Sequence, residues 1–78
     1  MLRRVETGPD GHDYEVRQVP GARAVKTYRC PGCDHEIRSG IAHVVVWPVE
    51  DEDGHDRRHW HTPCWANRAN RGPTRRWS

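Results

Sequence analysis

The sequence predicts a small α+β domain assembled around a single metal ion. Three observations lead there. First, Cys30-Pro31-Gly32-Cys33 and His61-Thr62-Pro63-Cys64 form two paired clusters with 27 residues between Cys33 and His61. Three thiols and one imidazole are a normal tetrahedral set for structural zinc, and each two-residue gap lets both members of a pair reach one ion from a tight turn. Second, Ile41-Ala42-His43-Val44-Val45-Val46-Trp47 is rich in β-branched and aromatic residues and predicts a strand. Third, the chain has 78 residues of which only 33% are hydrophobic and 31% are charged, too little apolar surface for a secure core. Small scaffolds of this kind need a staple. Structural zinc supplies an apparent ~10–16 kcal/mol, comparable with the net stability of an ordinary domain.

Taken from the start, residues 1–11 read as a flexible arm, with Gly8-Pro9-Asp10-Gly11 as turn material. Residues 12–19 alternate, with Tyr14, Val16 and Val19 on one face, and predict a strand. Pro20-Gly21 turns the chain. Residues 24–29, with Val25 and Tyr28, predict a second strand that pairs with the first as an N-terminal β-hairpin. Cys30-Pro31-Gly32-Cys33 reads as a zinc knuckle in which Pro31 fixes one turn angle and Gly32 supplies the left-handed one. Residues 37–40 reverse the chain into the strand at 41–47, and Pro48 ends it. Asp53-Gly54 marks a turn, and residues 56–60 form the returning strand. Thr62 is positioned as an N-cap with Pro63 at the first helical position, and Gly72-Pro73 stops the helix, giving about 63–71 with Cys64 in its first turn. One domain is expected over 12–71, with the finger core at 28–71 and a basic mobile tail at 72–78.

The formal charge of +2 says little, but its distribution is uneven. Residues 49–56 carry five acids and no base, while residues 65–78 carry Arg68, Arg71, Arg75 and Arg76 and no acid. Twelve of the thirteen basic residues are Arg. The guanidinium fork is planar and bidentate and suits phosphate, although an Arg-rich codon usage gives the same composition. Three cysteines cannot all pair internally, and thiolate ligands fit a reducing cytoplasm. Met1-Leu2-Arg3-Arg4 leads into no apolar run, so no secretory leader is expected. Nothing approaches the ~20 apolar residues of a membrane span.

Among the histidines, His61 has the two-residue spacing to Cys64. His59 lies on the same side of the predicted strand and is its competitor. His35 and His43 lack paired spacing, and His35 fits a role behind the ligands as well as among them. Four protein ligands close the site, which argues against a catalytic zinc with its open water position. A nuclease of the HNH type would need a further histidine in the helix, and none follows His61. Gly21-Ala22-Arg23-Ala24-Val25-Lys26-Thr27 has the Gly-x4-Lys-Thr outline of a phosphate loop but lacks its second glycine, and the knuckle follows it instead of a helix. No nucleotide cofactor is expected.

A knuckle, a hairpin, then a helix carrying the last ligand in its first turn is the treble-clef plan. Within it the sequence resembles the PARP-type zinc finger. Cys30, Cys33, His61 and Cys64 match that finger's ligands, Trp60 its aromatic before the histidine, and Ile37 and Gly40 its pattern after the knuckle. LIM halves share the paired motifs with a much shorter spacer. The chain also looks like a set of small, uncharacterised bacterial proteins with Tyr-Arg-Cys-Pro-Gly-Cys and Arg-Arg-His-Trp-His segments, which often carry an automatic ATP/GTP-binding label. The PARP-type resemblance covers about residues 28–66 and implies DNA-break binding, without the catalytic domain that accompanies it there.

The expected function is therefore a non-enzymatic module with one structural Zn2+ that binds nucleic acid, DNA or RNA. Arg57, Arg58, Arg68, Arg71, Arg75 and Arg76 are the predicted phosphate contacts, with Arg68 and Arg71 on one helix face. Trp47, Trp60 and Trp65 are expected in the core, and Trp77 is the better candidate for a base contact. A solvated arginine face is the plainer reading of the same residues. The alternative function is a protein-interaction adaptor, using strand edges, the helix face or the acidic loop. A monomer is expected.

Overall fold

The computed structural model describes residues 4–51 and 53–68. Its main layer is a four-stranded antiparallel sheet in the order β1-β2-β5-β6, built from β1 (Arg4–Thr7), β2 (Asp13–Val19), β5 (His43–Pro48) and β6 (Arg58–Trp60). A two-stranded ribbon, β3 (Tyr28–Arg29) with β4 (Glu36–Ile37), carries the knuckle at its tip. One short helix, α1 (Thr62–Ala66), follows β6. The protein is thus a small domain, mostly β, with the α component confined to this helix.

β5 is the centre of the layer. His43 to Trp47 are all buried, as expected of a β-branched run flanked on both edges. Cross-strand partners share a face. Val16 opposite Val46, Val44 opposite Trp60, and Tyr14 face the core, which Cys30, Ile37, Cys64 and Trp65 complete. Trp65 meets Trp60 edge-on at 5.2 Å and Tyr14 at 6.0 Å, the geometry that ring quadrupoles favour. Glu15, Arg17, Val45, Trp47 and His59 lie on the other face.

The strands at 41–47 and 56–60 form the expected hairpin, as β5 and β6. Four other expectations are corrected. Residues 4–7, placed in a flexible arm, form β1 and pair with β2 in the register Arg4 opposite Val16. The turn between them closes through Gly8 and His12 backbone groups, and Gly11 takes φ +83, which suits only glycine well. The N-terminal hairpin of residues 12–19 with 24–29 does not exist. β2 instead pairs with β1 and β5, because the long apolar β5 offers it more burial, and Tyr28 pairs with Ile37. In the knuckle the left-handed residue is Asp34, φ 58, and not Gly32. Gly32 is needed for space, since a Cβ there would sit 2.7 Å from the Trp60 ring.

The fourth correction concerns the helix. Its N-cap is His61 rather than Thr62, and its last residue is Ala66 rather than Arg71. Arg68 N–H bonds back to Trp65 O at 3.1 Å, a tightening turn. The Arg68 side chain then reaches Thr7 O on β1 and the Trp65 carbonyl. Arg71 and the tail 72–78, with Arg75, Arg76 and Trp77, lie outside the described residues. Among the described residues no helix is long and apolar enough to cross a membrane.

Candidate metal centre

β3 delivers Cys30 to the core side, and the turn after it brings Cys33 back beside it. Cys30 N–H donates to His35 O at 3.0 Å and Asp34 N–H to Cys30 O at 2.7 Å. Arg29 braces this turn by donating to the Asp34 carbonyl at 2.8 Å. The second pair comes from the junction of β6 and α1. His61 follows Trp60, where the strand's alternation has ended, and Cys64 sits in the first helical turn.

The four donor atoms of Cys30, Cys33, His61 and Cys64 lie within 4.8 Å of one another. His61 Nδ1 is 3.3 Å from Cys33 Sγ and 3.9 Å from Cys64 Sγ. Its other nitrogen, Nε2, donates to the Glu36 carbonyl at 3.1 Å, which leaves the Nδ1 lone pair directed at the sulfurs. His61 backbone N–H points at Cys30 Sγ, 3.4 Å away. All three cysteines are free thiols, with Cys30 and Cys64 buried.

Crowding three sulfurs together polarises them. Burial raises the Cys33 thiol, but donors from the His35 backbone and side chain outweigh it and draw it down to about 6. Burial and the neighbouring Cys30 sulfur push Cys64 up to about 12. A dication replaces the protons that such a cluster must otherwise keep and satisfies all three sulfurs together. The donor set and its spacing therefore fit one metal ion.

The contest between His59 and His61 is settled by where β6 ends. His59 stays on the opposite face, stacked on Tyr28 at 3.5 Å and 9°. His43 donates from Nδ1 to Ile41 O at 2.9 Å, so its Nε2 accepts from His59 Nδ1 at 2.8 Å. Burial first, then the neighbouring His43 ring and Arg57 guanidinium, lowers His59 to about 4 and keeps it neutral. His35 supports the ligands without being one of the four.

The predicted phosphate-binding arginines are not gathered in one strip. Arg57 lies over the Trp47 ring, 5.1 Å from its centroid, on the face opposite the metal cluster. Arg58 pairs with Asp56 at 2.8 Å. Arg68 stacks on Trp65 at 4.5 Å and pairs with Glu6 at 3.4 Å, tying the helix end to β1. Glu6 also accepts from Trp65 Nε1 at 2.7 Å. Residue-by-residue reading misses Glu6 and the Glu36 carbonyl, because one lies in an assumed arm and the other acts through backbone. The alternation of polar residues off the core face of β2 was the available signal for the arginine cluster around Trp47.

Fold and cluster define a small, mostly β domain whose Cys3His site is positioned to bind a metal ion. More particularly, the chain belongs to the Rv1322 family, whose model matches residues 4–66. The uncharacterized protein Rv1322 of Mycobacterium tuberculosis is 77% identical over 79 residues, covering 99% of this chain and 81% of that protein. The uncharacterized protein Mb1356 of Mycobacterium bovis matches to the same extent. No solved structure matches the chain significantly.

Proposed function

We propose that the protein is a cytoplasmic, monomeric, non-enzymatic module in which one structural Zn2+ orders a treble-clef finger that binds nucleic acid. Closure of the metal site carries the non-enzymatic part. Four protein ligands surround one point, and a tetrahedral zinc with Zn–S near 2.3 Å separates its ligand atoms by about 3.5–3.8 Å. The His61 Nδ1 distances of 3.3 and 3.9 Å bracket that range. When bound, the ion supplies cross-linking and charge balance. Cys30, Cys33 and Cys64 hold it as thiolates, and His61, oriented by Glu36, completes the set. The knuckle on β3-β4, the β5-β6 hairpin and Cys64 in the first turn of α1 support the treble-clef plan. They also support the likeness to the PARP-type finger, as does the position of Trp60.

Nucleic-acid binding is supported by the arginine-rich composition and by the exposed Arg57, not by a common strip. Arg68 is used structurally. Arg57 is exposed, Arg58 is half-buried beside Asp56, and Arg71, Arg75 and Arg76 follow in the chain. The test is a titration of the zinc-loaded protein with labelled single-stranded RNA, duplex DNA and nicked DNA. Saturable binding that weakens log-linearly with salt is expected. No binding to any of the three at low salt overturns the reading.

One observation favours the second reading, a protein-interaction adaptor. Val25 and Ile41 are 78% and 50% exposed. Gly40 N–H bonds Ala24 O at 2.7 Å and so holds their two loops together. A partner docked on this apolar pair would be far less sensitive to salt than a phosphate chain.

A further inference from the structure

The face of the sheet away from the metal carries a cleft of about 440 Å3, lined by Arg17, Val19, Pro20, Arg23, Val45, Trp47 and Arg57 among others. We infer that this cleft is the seat for one nucleotide unit of an unpaired strand. Its phosphate would lie between Arg17, Arg23 and Arg57, and its sugar and base against Val19, Pro20 and Val45. The inference rests on the nucleic-acid reading and names the subsite within it.

The three arginines come from separate elements that the fold fixes. Arg17 is on β2, opposite Val45. Arg23 ends the 3-10 turn Gly21–Arg23. That turn is seated tightly, since a Cβ on Gly21 would meet Gly40 O at 2.6 Å. Arg57 enters β6 and packs over Gly54, where an added Cβ would meet its Nε at 2.7 Å. Arg17 and Arg57 both lie over the Trp47 ring, at 5.5 and 5.1 Å from its centroid. A guanidinium stacked on an aromatic ring keeps its N–H edges free for a bidentate anion. Stacking also sets the head groups in place before a ligand arrives, which lowers the ordering cost of binding.

Charge and shape select the occupant. Among the described residues the carboxylate paired with a cleft arginine is Glu15, and at 3.9 Å from Arg17 it only partly offsets the three cations. The floor is apolar and the rim cationic, which suits a ligand with an anionic end and a flat, weakly polar body. A single nucleotide unit fits a cavity of this size class. A duplex presents a convex backbone with its bases stacked inside, and cannot place a base against Val45 and Pro20. An unpaired strand can splay one unit in.

The experiment uses the zinc-loaded 78-residue chain and two labelled probes, an unpaired thymidine decamer and a duplex of the same length. Wild type is compared with the R17A/R23A/R57A variant and with R38A, whose exposed arginine lies outside the cleft lining. Metal content and far-ultraviolet circular dichroism check the fold of each. The triple variant is expected to lose at least tenfold in affinity for the decamer. Its salt slope should fall by about 0.7, the value for a single strand on which one phosphate is no longer neutralised. R38A should change little. If the triple variant loses its metal, R23E on the exposed turn replaces it, with the same direction expected. Decamer binding by wild type that survives in the cleft variant overturns the cleft and leaves nucleic-acid binding standing. Equal losses on decamer and duplex overturn the unpaired-strand commitment. Absence of binding by wild type to both probes at low salt removes the nucleic-acid reading and this subsite with it.

Discussion

The two faces of the β1-β2-β5-β6 sheet use the same kinds of side chain for opposite ends. On one face Trp60 and Trp65 meet edge-on inside a closed core that ends in the Cys3His cluster. On the other, Trp47 is 5% exposed, yet its ring lies under two guanidiniums at the floor of a cleft. The histidines divide in the same way. His61 turns toward sulfur, and His59 stacks on Tyr28 and bonds to His43. The difference teaches that one face is spent on making the fold, because a chain with so few apolar residues must concentrate them. The other face sets the exposed Arg17 and Arg57 over the buried Trp47 ring, the arrangement on which the proposed cleft rests.

The comparison breaks most sharply at the metal. Cys33→Ser should release the ion and unfold the domain, removing on the order of 10 kcal/mol of apparent stability. Metal content by mass spectrometry, with circular dichroism, reads this directly, and a full complement of metal in the variant would sink the ligand assignment. His61→Ala should likewise lose the ion, whereas His59→Ala should retain it and cost about 1.5–4.5 kcal/mol, from the lost stack on Tyr28 and from the buried His43 Nε2 left without its donor. The reverse pattern would exchange the two histidines.

Next in size come the substitutions that join core and knuckle. Trp60→Ala should cost about 3–5 kcal/mol through the cavity left beneath the metal cluster. Gly32→Ala should cost about 1–3 kcal/mol, since its new methyl meets the Trp60 ring and the knuckle has to move. Denaturant midpoints of the zinc-loaded proteins rank the two. Equal tolerance of both would mean that Trp60 does not support the knuckle.

Much of the metal face was legible in the sequence, because its determinants are local. Paired ligand spacing survives without any knowledge of the fold, and so do a β-branched run and a Pro beside a cysteine. The sheet around them was less legible. Pairing between β2 and β5 joins Tyr14 to Pro48, far apart in the chain, and neither segment announces its partner. Residues 24–29 lie nearer in the chain, but with Val25 and Tyr28 they hold too few apolar residues to compete with β5. β1 was hidden because its exposed pattern looks like an arm. The end of the helix depends on Arg68 reaching Thr7, a contact that bridges the two ends of the described chain. The arginine cleft was illegible for the same reason, with Arg17, Arg23 and Arg57 brought together only by the register of β2 on β5 and the seat of the turn at Gly21.

The smallest expected effect sharpens the comparison on the polar face. Burial first, then the neighbouring His43 ring and Arg57 guanidinium, hold His59 at about 4, below the ordinary histidine value of 6.5. The unfolded chain therefore takes up this proton before the folded one does. The resulting stability is complete above about pH 6.5 and is lost as the pH falls toward 4. One proton sets an upper limit of about 1.4 kcal/mol per pH unit, and the half-exposed position of His59 brings the real slope below it. Acid also releases metal from thiolates, so slopes are compared between wild type and His59→Gln, both zinc-loaded, from about pH 6.5 to 5.5. The variant should show the shallower slope, because the metal contribution is common to both. Identical slopes would mean that His59 takes up its proton in the folded protein as readily as in the unfolded chain, and the stack on Tyr28 would then not depend on a neutral ring.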